Sequence, residues 1–409
     1  MTQAVFIGID VGTSSIKVAA VDPVGKLLAV ASSPMSVDVK RPGWSEQRPE
    51  DWWAGTCSAI KQALSEIDSP EVRGVGLSGQ MHSLVPLDSQ RQVVRPAILW
   101  NDVRSSAEAA YVRETVGNES LRRLAGNPSL EGFTVTKLLW MKNNEPDLFA
   151  QISHMLLAKD YIRYRLTGEL GSEPSDASAT LLFDIVNSRW SDEMCGLLNV
   201  NSELLPPIIE SAQIAGGVTK SAAIATGLAE GVPVVGGGAD NACAAIGAGV
   251  VSAGDALFSV GTSGTVVAPT TLPVTDPGMR IHSMRHATPD TWYLMGVVLS
   301  AGAALDWWRK SSGDATFDDL VAEAAMTSAG SGGVTFLPYL TGERTPHADA
   351  NARGVFFGMH GGTTRGHMTR AVMEGVSFAL RDSLELMTAL DVHPDEAVAV
   401  GGGASSAVW

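Results

Sequence analysis

"FIGIDVGTSSIKVAAVDPVGKLLAV" occupies residues Phe6–Val30. An apolar run reaches Asp10 and gives way to a Gly-Thr-Ser turn. The alternating "IKVAAVD" follows, then a second turn at "PVGK" and a further apolar run, "LLAVASSPM". Apolar runs and period-two alternation between turn residues are the pattern of paired strands, so the spacing predicts a three-strand meander. The four residues Val-Gly-Thr-Ser return at Val260–Ser263, inside "LFSVGTSGTVVAP". Two strand-turn-strand units, one early in each half, predict an internal duplication with one copy per domain.

The length agrees with that. A chain of 409 residues is too long for one ordinary core. Hydrophobic content of 45% and charged content of 18% are those of a folded globular protein. A net charge of −15 with no Lys/Arg block argues against nucleic acid or an anionic membrane as partner. It leaves small anionic ligands open, because backbone N–H groups and a divalent cation bind phosphate without a basic surface. Cys57, Cys195 and Cys243 are odd in number and far apart, which excludes a Cys-x-x-Cys zinc pattern and fits a reducing compartment. The N-terminus lacks the pattern of a signal peptide, and "WYLMGVVLSAGAALDWW" (Trp292–Trp308) reads as a strand entering a helix, so a cytoplasmic location is expected.

Along the chain, Trp52, Trp53, Cys57, Ile60, Ala63, Leu64 and Ile67 share a face at helical spacing, with Glu50 and Asp51 at its start. "VRGVGLSGQ" and "PAILWND" read as short buried strands, and Ser105–Leu170 as mostly helical. "GVPVVGGGADNACAAIGAG" is a strand, a glycine turn and a helix; "AVAVGGGASSAVW" repeats that order and ends in the first residues of a helix. The domain boundary is expected in the small-residue helix near Ala244–Gly249, giving domains 1–245 and 246–409.

Glycine in a turn between strands lets the backbone approach a ligand and point N–H groups at it; the following Thr and Ser add hydroxyls. Alone, each turn is ordinary hairpin chemistry. Two of them facing across a cleft could hold a polyphosphate from both sides. Asp10, just before the first turn, suits a magnesium ion bound through its water shell. Asp240 stands at a strand-to-helix junction, where a carboxylate either caps the helix or takes a proton from a substrate hydroxyl as it attacks phosphorus. Lys17, in the strand after the first turn, is expected to face solvent.

The motifs "DVGTSSIKVAAVD", "GVGLSGQMH", "PAILWNDVR", "GGGADNACAAIGAG", "SVGTSG", "FLPYLTGERTPH" and "VGGGASSAVW" occur in the order typical of the FGGY carbohydrate kinases. "GWSEQRPEDWW", "NPSLEGFTVTKLLWMKNNEPDLF" and "LAKDYIRYRLTGE" extend the resemblance over nearly the whole chain, most closely to the bacterial xylulokinase branch. The resemblance implies an α/β, actin-like ATPase (ribonuclease H-like) fold, two duplicated domains around a cleft. It implies ATP and Mg2+ as cofactors and a small-molecule sugar as substrate, with phosphorylation of D-xylulose to D-xylulose 5-phosphate as the reaction. By resemblance, Gly12, Thr13 and Ser14, with Gly261, Thr262, Ser263 and Gly264, contact the ATP phosphates. Gly402, Gly403 and Ser406 lie at the adenosine end. Asp10 and Asp240 serve the metal and the chemistry, with Asp240 the base. Asn241, Met81 and His82 join Asp240 against the ketose.

Ser83 stands where this branch commonly has Gly. Trp44 and Trp100 are read as core packing, with walls of the sugar pocket as the alternative, and Glu343–Arg344 as a loop ion pair without a chemical role. The family continues for about 80 residues past the motif in which this chain stops, so part of the second domain is expected to be missing. A kinase for ribulose, gluconate or glycerol, and a sugar-binding sensor without transfer activity, stay open as alternatives. So does a homodimer.

Overall fold

A computed structural model describes residues 3–313 and 315–409. The chain divides into two compact units, Met1–Ala244 with Met284–Thr291, and Ala245–Ser283 with Trp292–Trp409. Among the described residues, no helix is long and apolar enough to cross a membrane.

In the first unit the opening stretch forms β1 (Gln3–Val11), β2 (Ser15–Val21) and β3 (Leu27–Pro34). They pair antiparallel in sequence, as the alternation requires. α1 (Pro49–Ser65) follows, with Pro49 in its first turn and Glu50 and Asp51 favourably placed near its positive end. Next comes β4 (Pro70–Gly79), which runs parallel to β1. α2 (Thr134–Asn144) lies in the helical region between the halves of the sheet. β5 (Ile214–Gly217), β6 (Pro233–Val235) and the short β7 (Gly238–Ala239) complete the sheet, whose order is β5-β6-β4-β1-β2-β3, with β7 also against β4.

The apolar sides of β1 and β2 (Ile7, Ile9, Ile16 and Val18) sit in one core with Trp52 and Ile60 of α1. The buried face of α1 is Trp52, Gly55, Thr56, Ala59, Ile60 and Ala63, rotated from the expected one. Small residues let the helix lie close to the sheet: a Cβ on Gly55 would meet Met35 Cε at 2.7 Å and Ile16 Cγ1 at 3.2 Å. Trp53 is left half-buried, with the Arg165 guanidinium 4.8 Å from its ring. Ile67 is buried, but lies beyond the end of the helix.

α3 (Asp240–Gly247) starts directly after β7. The second unit contains β8 (Asp255–Val260) and β9 (Gly264–Thr270), the first two residues of β10 (His282–Arg285), and β11 (Trp292–Val298), then α4 (Gly302–Ser311) and α5 (Phe317–Ala325). α6 (Arg365–Thr388) and β12 (Glu396–Val400) follow, and the sheet order is β10-β11-β9-β8-β12. Thr364 and His367 close a capping box at the start of α6. Its apolar face, Val372, Met373, Val376 and Leu380, packs with Val266, Leu294 and Val298 of the sheet. "WYLMGVVLSAGAALDWW" is the expected strand entering a helix. "GGGASS" forms a single 3-10 turn, Gly402–Ser405, in place of the expected helix.

Candidate active site

In the first unit, register brings the chemistry together. β4 lies between β1 and β7, and Ser78 stands opposite both Asp10 and Gly238. Asp10 at the end of β1 and Asp240 just past β7 therefore leave the sheet from the same, carboxyl, edge of parallel strands, where α/β sheets bind ligands. Burial raises the pKa of Asp10, opposed by the charge of Lys17 and a hydrogen bond from Ser78. Burial pushes Asp240 up to about 7; the hydrogen bonds from Asn241 oppose this, and the negative charge of Asp10 adds to it.

Asp240 Oδ1 accepts the Asn241 backbone N–H at 2.7 Å and Asn241 Nδ2 at 3.0 Å. Oδ2 has no hydrogen-bond partner among the described residues. The Asn241 amide also reaches Met81 Sδ at 3.6 Å, so Asp240, Asn241 and Met81 form one contiguous group. Behind them, Ser175 Oγ accepts the Ala239 N–H at 2.9 Å and donates to Glu173 at 2.8 Å. Glu173 is 3.2 Å from Lys159, a buried lysine that also meets Asp160 at 2.9 Å and Asp176 at 3.0 Å. Burial alone would lower the pKa of Lys159, but the three carboxylates outweigh it and drive it up. The strand leading to Asp240 is thus tied to a fixed charge.

The first turn is held by side chains. Thr13 Oγ1 donates to Gln80 Oε1 at 3.1 Å and accepts from Trp100 Nε1 at 3.0 Å. Gln47 Nε2 donates to Thr13 O at 2.7 Å, and Gln80 Nε2 to Gln47 Oε1 at 3.2 Å. The Thr13 hydroxyl proton is therefore spent on Gln80. What the turn can offer a phosphate is backbone N–H, with the exposed Ser14 beside it. Trp100 is 39% exposed and makes a specific hydrogen bond, which corrects its reading as core packing. Trp44 does pack, stacked 3.7 Å from the Arg104 guanidinium. Lys17 is exposed, as expected. His82 is half-buried with φ +65°, and its Nδ1 lies 2.8 Å from Ala179 O.

In the second unit, Gly261, Thr262, Gly402, Gly403 and Ser406 line one cavity of about 1090 Å³. Ser263 and Gly264 are not on its wall; Gly264 is buried, and a Cβ there would meet Leu380 Cδ2 at 3.0 Å and Ala301 Cβ at 3.2 Å. Close approach explains the glycine run: at Gly401 (φ +89°) a Cβ would meet Val260 O at 2.6 Å, and at Gly403 it would meet Val260 Cγ1 at 2.4 Å. Gly402 faces open space. The start of α4 caps the turn: Ala301 and Ala303 N–H donate to Thr262 O at 3.0 Å, and Gly302 N–H to Gly261 O at 2.7 Å.

Sequence reasoning missed the aromatic wall, Trp307, Phe317 and Trp409, and the single lysine, Lys310, which pairs with Asp306 at 2.6 Å. Flat apolar walls beside a backbone turn and one cation suit a heteroaromatic base carrying phosphates. Glu343 is 2% exposed; its Oε1 accepts Leu299 N–H at 3.0 Å and Arg344 N–H at 2.7 Å, and burial raises it to about 7. It braces the chain between β11 and α4.

Among the described residues, no group of three or more His, Cys, Asp or Glu gathers as a metal cage. Asp10 and Asp240 nonetheless suit a divalent cation that keeps most of its water: both are hard oxygen donors, both are pushed up by burial, and Asp240 Oδ2 is unpaired.

These features have a known counterpart. Residues 5–247 match the N-terminal domain, and residues 256–409 the C-terminal domain, of the FGGY family of carbohydrate kinases. The xylulose kinase of Bacillus subtilis (strain 168) is 41% identical over 406 residues, 98% of this chain and 81% of the relative. The crystal structure of a "xyloylose kinase" from Brucella ovis superposes with a TM-score of 0.93 at 40% identity, over 99% of this chain and 83% of that one. A gluconate kinase structure from Lactobacillus acidophilus has a TM-score of 0.94 at 28% identity, over 99% of this chain and 82% of that one. Two-domain matches along the length, and the α/β fold shared with solved sugar kinases, settle the identification: this chain belongs to the FGGY family of carbohydrate kinases.

Proposed function

We propose that this chain is an ATP-dependent xylulose kinase, acting in the cytoplasm to phosphorylate the terminal, C5 hydroxyl of D-xylulose. The observation that carries the chemistry is the state of Asp240. One oxygen is pinned by Asn241, the other has no partner among the described residues, and burial holds the carboxyl near 7, where a general base works best at neutral pH. Support for the substrate comes from the named relatives and from Met81, which the Asn241 amide reaches beside Asp240.

Met81, His82 and Asn241 bind and orient the ketose. Asp240 Oδ2 takes the proton of the C5 hydroxyl as its oxygen attacks the γ-phosphorus of ATP in line. Asn241 keeps Oδ1 engaged, so the carboxylate cannot turn away. The Gly12–Ser14 turn offers N–H groups to phosphate oxygens. In the second unit, the cavity lined by Gly261, Thr262, Gly402, Gly403 and Ser406 takes the nucleotide, with the adenosine end at the last three. Asp10 and Asp240 would hold Mg2+ through its water shell; when bound, the ion neutralises charge on the phosphates. Placing the groups and stabilising charge supply most of the acceleration.

The test is purified protein with ATP and Mg2+ against D-xylulose, ribulose, gluconate and glycerol, with ADP detected by coupled assay and the product identified by mass. The expected result is a pentulose monophosphate from D-xylulose and the highest kcat/KM for that sugar. A higher kcat/KM for gluconate or glycerol would reassign the substrate. Sugar binding without a phosphorylated product would make the chain a sensor.

A further inference from the structure

Lys137, on the first turn of α2, is fully buried and makes no ion pair among the described residues. Its Nζ donates to two backbone carbonyls, Gly132 O at 2.5 Å and His82 O at 3.0 Å. Thr134 Oγ1, three residues earlier on the same helix, donates to the same His82 O at 3.0 Å and reaches Ala179 O at 3.5 Å. His82 itself has φ +65°, a left-handed conformation that costs energy for a side chain of this kind and persists only where the surroundings enforce it. Its imidazole Nδ1 lies 2.8 Å from Ala179 O. A carbonyl only accepts, so Nδ1 carries the proton, and in the neutral ring Nε2 is the acceptor side. Phe133 stands edge-on against the ring at 4.7 Å.

From this geometry we infer that Lys137 is a positioning residue for the ketose: its ammonium clamps the His82 carbonyl, fixing the strained loop and thereby the direction in which the imidazole meets a sugar hydroxyl. The inference rests on the reading of Met81 and His82 as the sugar loop.

Energetics make a purely structural role a poor explanation. An ammonium without a carboxylate partner is expensive to bury. Burial indeed pushes Lys137 down to about 7, with the Asp102 charge opposing the fall and Arg104 adding to it. What the lysine supplies, and an apolar side chain does not, is a directed donor to a loop that has no regular secondary structure of its own. Thr134 supplies a second donor to the same atom, so the carbonyl is held from two points on one helix.

The experiment is Lys137→Met in the full chain, with KM and kcat measured for D-xylulose and for ATP separately. The expected result is a rise of roughly 10–100-fold in KM for D-xylulose, with KM for ATP changed by no more than about twofold. Equal changes for both substrates, or no change in either, overturns the inference. Should Lys137→Met fail to fold, Thr134→Val removes the other donor at matched shape. It must raise KM for D-xylulose alone, by a smaller factor, and an unchanged KM overturns the inference equally. A wild-type chain that phosphorylates no sugar would instead overturn the functional reading, and this inference with it.

Discussion

The two Val-Gly-Thr-Ser turns share their letters and differ in nearly everything that supports them. In the first, Val11 pairs with Ile16, so four residues, Gly12–Ser15, make the bend. In the second, Val260 pairs with Gly264, and three residues, Gly261–Ser263, suffice. The first is tied down by side chains distant in sequence: Gln80, Gln47 and Trp100 all converge on Thr13. The second is tied down by backbone, its carbonyls taken by the N–H groups that open α4. The glycines differ too. A Cβ on Gly12 would meet Ser15 O at 2.8 Å, whereas on Gly261 the nearest atom would be Ser263 O at 3.5 Å, an ordinary contact. The fold demands glycine at the first position. At the second it does not, and the cavity beside it supplies the reason. One short motif can thus be read as a phosphate turn twice over while the sequence says nothing of how each is held.

The largest predicted effect concerns Asp240, in the first unit. Asp240→Asn should lower kcat for D-xylulose by about 10²–10⁴-fold, because a neutral amide cannot take the hydroxyl proton. Thermal unfolding should move little, since Oδ1 still accepts from Asn241. An activity loss accompanied by a large fall in Tm would place Asp240 in the framework instead.

Next in size is the side-chain scaffold of the first turn. Gln80→Leu leaves the Thr13 hydroxyl and the Gln47 amide short of a partner in a buried setting. Chemical denaturation should show a loss of about 1–3 kcal/mol. The second turn has no such dependence, so an equal loss on trimming a side chain beside it would erase the contrast. Comparable in size, and most discriminating, is the glycine pair. Gly12→Ala should destabilise the fold by about 1–3 kcal/mol through crowding at Ser15 O. Gly261→Ala should leave Tm within error and raise KM for ATP. Reversed outcomes would mean that the second turn is kept by folding and the first by a ligand.

Much of the fold is legible in the residues themselves. The meander, the strand-turn-strand echo and the strand-turn-helix at Gly236–Gly247 follow from apolar period and glycine placement, which are local. The support network is not legible, because it joins residues far apart: Thr13 to Gln80 and Trp100, Ala239 to Ser175. Signals exist. Gln80 is buried directly after the end of a strand, and Lys137 sits within a run of buried residues; a polar residue in such a place implies a partner. Nothing in the spacing names which. The face of α1 departs from expectation for a related reason: the sheet selects small residues for close approach, and periodicity alone ranks the large ones first. Trp100 reads as core because tryptophan generally packs, yet its indole N–H is needed at Thr13.

Phosphoryl transfer as described requires Asp240 to be ionised when it works. The direct measurement is kcat at saturating D-xylulose and ATP against pH in the wild-type chain, which leaves out the KM effect assigned to Lys137. Because burial raises this acid to about 7, lowering the pH through that value should protonate it and remove activity. The curve should climb with pH, reach half its plateau near 7, and lose this limb in Asp240→Asn. A profile that stays flat from about pH 5 to pH 8 would contradict a proton-accepting Asp240 with the environment described.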